Sequence, residues 1–326
     1  MKKTLVATIA VIGLFASCES QDELVVNSSG IVADTLTEVK TFKAERAKIV
    51  SSEKYLMVLA ETLNENSSGT YKTTDWLQNW NYPNWANRKN GLGKMIKTGS
   101  NIYLSQEFAR GAFNVSGGYQ WHAKFNQGYD ELYFSYKIKF SDGFKDKNLQ
   151  GKLPGLSGGK SNSGGYLPSG KDGWSARLMF HGTQIKFYMY YPEVYKLFGD
   201  SKPVKNKSYW GMGPSFNPGY TLKTGVWYTI TQRVVMNTPG KANGLVEGFI
   251  NGKLCASQKG IRFRDIPSLK IDRIFFANFF GGSGKPPSKK ESICFDDFAV
   301  YTYNPSVKVA KSLAANEDGT VIPLPL

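Results

Sequence analysis

Hydrophobic and polar side chains alternate along residues 172–193, DGWSARLMFHGTQIKFYMYYPE, on both sides of a short HGTQ segment. Such alternation is typical of strands that are buried on one face, and the glycine suits a tight reversal between them. The pattern predicts a hairpin that turns within HGTQ, with Arg177 opposite Tyr188 and Ser175 opposite Tyr190, because a one-residue shift would pair polar with apolar positions. One face then carries Ser175, Arg177, Met179, His181, Lys186, Tyr188 and Tyr190, and the other carries Trp174, Ala176, Leu178, Phe180, Ile185, Phe187, Met189 and Tyr191.

The same period recurs along most of the chain after residue 70. Short alternating or apolar runs are separated by Gly, Asn, Asp and Pro, and Asn251-Gly252 is a strong hairpin signal. Strands at this spacing without intervening helices predict an all-β fold, a jelly-roll sandwich of two antiparallel sheets with a concave substrate groove. The clearest further strands are at 131–140, 227–237, 245–256, 271–282 and 293–303.

The N-terminal region has a different pattern. Apolar residues between Leu36 and Leu63 recur at roughly helical spacing, which predicts a short helical segment before the sandwich. We divide the chain into a signal peptide (1–17), a tether with this helix (18–66), the jelly-roll domain (67–303) and a C-terminal tail (304–326).

The first residues, MKKTLVATIAVIGLFASC, combine two lysines with a short apolar run and small residues before Cys18. This pattern predicts a bacterial lipoprotein signal, after which Cys18 is acylated and anchors the protein to a membrane. Ordinary signal cleavage with Cys18 incidental is the alternative. We expect an exported lipoprotein of a Gram-negative bacterium, at the outer membrane or cell surface.

Composition adds a strong positive charge. The 326 residues include 41 Lys and Arg against 26 Asp and Glu, a formal net charge of +15, which favours polyanionic partners. An exported protein rarely meets nucleic acid, so we expect an acidic polysaccharide instead, bound by a monomer. With Cys18 acylated, Cys255 and Cys294 remain; they either pair in the oxidising compartment or stay as thiols.

Several common chemistries lack their residues. The chain has only two histidines, His122 and His181, and no cysteine pair at metal-ligand spacing, so we predict no metal site and no cofactor. No phosphate-binding glycine loop opens a predicted helix. GLSGG at residues 155–159 matches Gly-x-Ser-x-Gly, but no predicted helix follows it, so we expect no nucleophile elbow. Paired facing carboxylates, which glycoside hydrolysis needs, are also missing, because the acids in DELYF and FDDF are adjacent.

A cationic face with tyrosines suits β-elimination on a uronate polymer. Lys or Arg would stabilise the enolate that forms when the proton α to the sugar carboxylate is removed. A phenol can act as base or acid, and we expect cations such as Arg177 and Lys186 to lower the phenol pKa.

These segments resemble polysaccharide lyase family 14, which contains alginate lyases and glucuronan lyases built on a β-jelly roll. The similarity covers about residues 100–303 and rests on GKLPGLSGGK, DGWSARLMFHG, KFYMYYPE, RVVMNTPGKANG and NFFGGSG. The resemblance implies that a lysine, a serine, an arginine and two tyrosines take part in catalysis and substrate binding. In this sequence they fall on Lys152, Ser175, Arg177, Tyr188 and Tyr190.

We hypothesise that Lys152 and Arg177 bind the uronate carboxylate, Ser175 orients it, and Tyr188 and Tyr190 transfer the protons. Tyr188 is preferred as both base and acid, because it lies opposite Arg177. Further candidates for substrate binding are His181 and Lys186 on the hairpin, Gln120 and His122 on a neighbouring strand, and Lys160 in a glycine-rich segment.

Three alternatives remain open for the function. The most favoured is lysis of alginate, with polymannuronate as the expected substrate, to give 4,5-unsaturated uronate ends. A glucuronan lyase would use the same residues. A non-catalytic surface lipoprotein that binds an acidic glycan would not need the paired tyrosines.

Overall fold

The computed structural model describes residues 55–83, 85–87 and 91–304. The predicted signal peptide, Cys18, most of the predicted helix and the C-terminal tail lie outside the described residues, so the lipid anchor stays a prediction. Within the described residues, no helix is long and apolar enough to span a membrane.

Fifteen strands and one α-helix make up the regular structure of the described residues, with short 3-10 turns at Val115–Gly117, Asp142–Lys145 and Val194–Phe198. The helix α1 is Thr73–Asn79. The strands are β1 Tyr55–Glu61, β2 Gly69–Thr70, β3 Ala86–Asn87, β4 Lys94–Thr98, β5 Asn101–Phe108, β6 Tyr119–Tyr129, β7 Glu131–Phe140, β8 Gln150–Gly159, β9 Gly173–His181, β10 Gln184–Tyr190, β11 Tyr228–Val235, β12 Gly244–Ile250, β13 Lys253–Ile261, β14 Ile271–Phe280 and β15 Glu291–Tyr303.

The strands form two antiparallel sheets. The larger sheet has the order β13-β12-β11-β7-β15-β5-β4-β2, with β1 paired to β15, and the smaller has the order β10-β9-β8-β14-β6-β3. The predicted two-sheet jelly roll is therefore confirmed, and Asn251 and Gly252 form the predicted turn between β12 and β13 with positive φ at both residues.

The core lies between the sheets and is built from the apolar side of each alternating strand. In β7, every second residue from Leu132 to Phe140 is buried in one cluster with the apolar side chains of β9, β10 and β14. Aromatic rings fill much of this space: Trp121 stacks on Phe276 at 3.8 Å, and Trp80 packs edge-on against both. The face of the smaller sheet that points away from this core is therefore not used for packing the two sheets together.

The structure corrects the predicted N-terminal helix and answers the question of the cysteine pair. Tyr55–Glu61 is a strand on β15 rather than the end of a helix, so the sandwich begins before residue 67. A bulge between Met57 and Leu59 interrupts the alternation there, which is why the spacing resembled a helix. Cys255 on β13 and Cys294 on β15 are both free thiols, which excludes the pairing that the sequence left open.

Candidate active site

The hairpin of β9 and β10 has the predicted register. Arg177 lies opposite Tyr188 and Ser175 opposite Tyr190, while Gln184 pairs with His181 across a turn in which Gly182 has a φ of +56°. The polar residues therefore share the face of the smaller sheet that points away from the core. We call this the polar face; on β9 and β10 it consists of Ser175, Arg177, Met179, His181, Lys186, Tyr188 and Tyr190.

Strand β8 adds Lys152 to the polar face, beside Met179 of β9 and Phe279 of β14. A register shift between Leu153 and Leu156 then brings Gly155 next to Arg177. A Cβ atom at Gly155 would lie 2.5 Å from the Arg177 Cα, so only glycine fits. Because Gly155 has no side chain, Arg177 crosses β8 and its guanidinium lies 4.3 Å from the ring centre of Phe275 on β14.

Lys152 is in an unusual position for an amine. It is only 5% exposed, its Nζ lies 3.6 Å above the ring centre of Tyr188, and it donates to the Met179 sulfur at 3.5 Å. Burial, followed by the positive charges of Arg177 and Lys186, lowers its pKa to about 6. Near neutral pH the free site therefore holds Lys152 largely as a neutral amine.

Tyr188 and Tyr190 act as one unit. Their hydroxyls are hydrogen-bonded at 3.1 Å, and the Gly165 amide donates to the Tyr190 oxygen at 3.2 Å. Burial and the neighbouring Tyr190 raise the pKa of Tyr188 well above its ordinary value, although Arg177 opposes this. Arg177 lowers the pKa of Tyr188 as expected, but desolvation outweighs its charge and the net shift is upward. Tyr188 is therefore a phenol rather than a phenolate.

Ser175 does not face the solvent. It is fully buried, and its hydroxyl donates to the Asn162 carbonyl at 2.6 Å. Asn162 lies in the connection between β8 and β9, which also supplies Gly165 to Tyr190. Ser175 therefore holds this connection over the tyrosines, and its expected contact with the sugar carboxylate is not available in this structure.

The remaining candidates are spread around this centre. His181 and Lys186 lie beside Lys152 at the turn end of the hairpin, and burial with the two lysines lowers the pKa of His181 to about 4. His122 and Gln120 share the polar face on β6, where His122 packs edge-on against Phe275 at 4.6 Å. Lys160 is exposed in the loop after β8 and makes no described contact with the centre.

The centre has one sign of charge. Within the described part of the chain, no carboxylate forms an ion pair with Lys152, Arg177 or Lys186. Buried nitrogens of Arg177 (Nε) and His181 (Nε2) also have no hydrogen-bond partner there. The unpaired positive charge of Arg177 and Lys186 attracts an anion.

Comparison with known proteins identifies the family. The family model of polysaccharide lyase 14 matches residues 97–298. The chain belongs to polysaccharide lyase family 14. The resemblance that the sequence motifs indicated is therefore confirmed, and the matched residues include every strand of the smaller sheet except the short β3.

Three similar solved structures are alginate lyases by name. The family 14 alginate lyase of Aplysia kurodai is 20% identical with a TM-score of 0.61, and the match covers 75% of this chain and 98% of the Aplysia lyase. Alginate lyase vAL-1 from a Chlorella virus is 22% identical with a TM-score of 0.58, and the match covers 76% of this chain and 100% of the viral lyase. Alginate lyase Aly36B is 20% identical with a TM-score of 0.59, and the match covers 74% of this chain and 95% of Aly36B. Among curated proteins, none matches the sequence significantly.

Sequence reasoning missed two residues that shape the centre. Phe275 supports Arg177, and its position in the alternating strand 271–280 could have placed it on the polar face. Gly211 packs against both tyrosines: a Cβ atom there would lie 2.8 Å from Tyr190 and 2.9 Å from Tyr188 ring carbons. Nothing local in the sequence indicates that contact, because residues 211–216 reach β10 through a loop.

Proposed function

We propose that this family 14 lyase cleaves an acidic uronate polymer by β-elimination, with alginate as the substrate and polymannuronate as its preferred form. The observation that carries the proposal is the position of Lys152, a buried amine 3.6 Å from the ring centre of the Tyr188 phenol, beside the unpaired guanidinium of Arg177. The three groups supply a base, an acid and a carboxylate-binding cation. The similar structures are alginate lyases by name, which supports the choice of substrate.

In this mechanism Arg177 binds the uronate carboxylate and stabilises the enolate that develops on it. The neutral Lys152 amine accepts the proton from C5, the carbon α to the carboxylate. Tyr188 donates its phenolic proton to the glycosidic O4, the C4–O4 bond breaks, and a C4=C5 double bond forms. The Lys152 ammonium then returns a proton to the Tyr188 phenolate, so the net change moves one proton from C5 to O4.

Lys152 thus takes a different role from the one expected from the sequence. A lysine that only bound the carboxylate would need to be charged, whereas burial and like charges favour the neutral form in the free enzyme. Tyr188 is assigned the acid step alone, because its raised pKa keeps the proton on it. Tyr190 positions Tyr188 through the hydrogen bond between their hydroxyls.

The proposal is tested by following the ultraviolet absorbance of the unsaturated product on polymannuronate, polyguluronate and glucuronan. We expect the fastest rise on polymannuronate. Binding without absorbance on all three polymers would contradict the lyase function, while a rise on glucuronan alone would replace the substrate but keep the chemistry.

The pH profile separates the two roles of Lys152. As a base, Lys152 must lose its proton, so kcat/KM should increase as the pH rises through about 6. As a carboxylate-binding cation it would give the opposite slope. Lys152→Arg and Tyr188→Phe should each lower kcat by about 1000-fold, within the range of a lost proton-transfer group.

A further inference from the structure

A row of contacts leaves the active site and crosses the smaller sheet. The guanidinium of Arg177 lies 5.7 Å from the ring centre of Tyr188 on one side and 4.3 Å from that of Phe275 on the other. Phe275 pairs with His122 of β6, and the two rings meet edge-on at 4.6 Å. His122 in turn packs under Trp85, with ring centres 4.6 Å apart. The row therefore connects Tyr188 on β10 to the opposite edge of the sheet.

Trp85 ends this row in an exposed position. It precedes the edge strand β3, its carbonyl accepts a hydrogen bond from the His122 amide at 3.2 Å, and it is 43% exposed. The His122 Nε2 atom is inaccessible to solvent and has no partner among the described residues. Trp85 thus covers a buried imidazole with part of its surface and presents the rest to solvent.

A cation lies on the strand that carries His122 and acts electrostatically on this histidine. Lys124 is exposed on the same face of β6, two residues after His122, and makes no ion pair within the described residues. Its cross-strand neighbour Arg273 is already bound by Asp272 at 2.6 Å, so among the described residues Lys124 is a cation without a counter-charge at this end of the sheet. An indole with a free ammonium nearby suits a sugar ring that carries a carboxylate.

The distance from the active site to Trp85 determines which sugar of a bound polymer would reach this tryptophan. The guanidinium that binds the uronate carboxylate lies 4.3 Å from the Phe275 ring, and the Phe275–His122 and His122–Trp85 ring contacts are 4.6 Å each. The Trp85 ring is therefore at most about 14 Å from the guanidinium, or roughly three steps between neighbouring strands. A pyranose unit in an extended chain is about as long as one such step, so a chain that crosses the strands places about one sugar on each.

We propose that Trp85, supported by His122 and Phe275 and assisted by Lys124, is a remote sugar-binding subsite about three units from the sugar whose carboxylate Arg177 binds. The inference rests on the proposed function and extends it, because it makes this lyase selective for long chains. The apolar face of a uronate ring packs on the indole, and its carboxylate pairs with Lys124.

The test compares kcat and KM for polymannuronate and for mannuronate oligomers of two to eight units. Trp85→Ala should raise KM about ten-fold for the polymer and the longest oligomers, leave KM for the shortest cleaved oligomer unchanged, and leave kcat unchanged on all. Trp85→Phe should keep part of the affinity. Trp227→Ala is the matched control, because this half-buried tryptophan packs on Tyr103 and Lys139 of the larger sheet; it should change neither constant.

The outcomes separate the two proposals. Suppose that the wild type is active and that the KM of Trp85→Ala equals the wild-type KM for every substrate, long or short. The subsite is then refuted, while the lyase function stands. An equal rise in KM at every chain length would refute it too, since that indicates a distorted site. If the wild type cleaves none of the polymers, calorimetric titration with the eight-unit and two-unit oligomers still decides, because Trp85→Ala must lose affinity for the long one only.

Discussion

Replacing Lys152 by methionine should abolish activity and at the same time stabilise the protein. Lys152 is 5% exposed, and its pKa falls from 10.5 to about 6 on folding. A lower pKa in the folded state means that unfolding takes up a proton between pH 6 and 10.5, so this amine destabilises the fold in that window. The destabilisation is largest at and below pH 6 and disappears as the pH approaches 10.5.

The magnitude follows from the shift. Each pKa unit corresponds to about 1.4 kcal/mol, so the amine lowers the free energy of unfolding by about 5 kcal/mol at pH 7 and about 2 kcal/mol at pH 9. Methionine has a similar length, carries no charge and packs well on sulfur and aromatic groups such as Met179 and Tyr188. We therefore expect Lys152→Met to raise Tm by about 10 °C at pH 7 and by about 4 °C at pH 9.

Urea and thermal unfolding at pH 6, 7, 8 and 9 would measure this difference directly. The control is Lys160→Met, which removes an exposed lysine from the loop after β8 and should leave stability nearly unchanged at every pH. A gain for Lys152→Met that is the same at pH 7 and pH 9, or no gain at pH 7, would refute the reasoning, because neither result fits a buried amine that is neutral in the folded protein.

Three further substitutions test other parts of the structure. Gly211→Ala should lower kcat at least ten-fold and also lower Tm, because the added Cβ atom lies within 2.9 Å of two buried tyrosine rings and displaces their hydroxyls. Arg177→Lys should lower kcat/KM about 100-fold on polymannuronate. An ammonium has no planar group to stack on the Phe275 ring, and it cannot bind a carboxylate with two parallel hydrogen bonds as a guanidinium does. Asp296→Asn should stabilise the protein by about 3 kcal/mol at pH 7 and much less at pH 4, because burial raises the pKa of this carboxyl from 3.8 to about 6 and stability is lost as the pH rises between these values. Urea unfolding at the two pH values measures the difference.

The parts of the site that could be predicted are those with a short-range pattern. Alternation along 172–193 is sufficient for the register of β9 and β10, because a slip of one residue would move every apolar side chain out of the core. Lys152 was found only through the family resemblance, since its strand contains four glycines and a proline and does not alternate.

The errors share one cause, which is burial by distant segments. The connection between β8 and β9 covers Ser175 and Tyr190, and the segment after Trp210 covers Tyr188, so neither the accessibility of Ser175 nor the sign of the Tyr188 pKa shift could be read from the hairpin. The strand β1 was misread as helix for a related reason: its partner β15 lies about 240 residues further along the chain, and the bulge after Met57 hides the alternation.

The same burial that misled the sequence interpretation explains the chemistry. In water, Lys152 would be an ammonium and Tyr188 an ordinary phenol, and neither would exchange protons easily near neutral pH. Burial and the guanidinium of Arg177 shift Lys152 toward the neutral amine. Burial also holds the proton on Tyr188, although Arg177 opposes this, so the pKa values of the two groups move apart. A uronate carboxylate beside Arg177 supplies the counter-charge that this buried guanidinium lacks in the empty site. The instability of the empty site therefore contributes to its selectivity for uronates over neutral sugars.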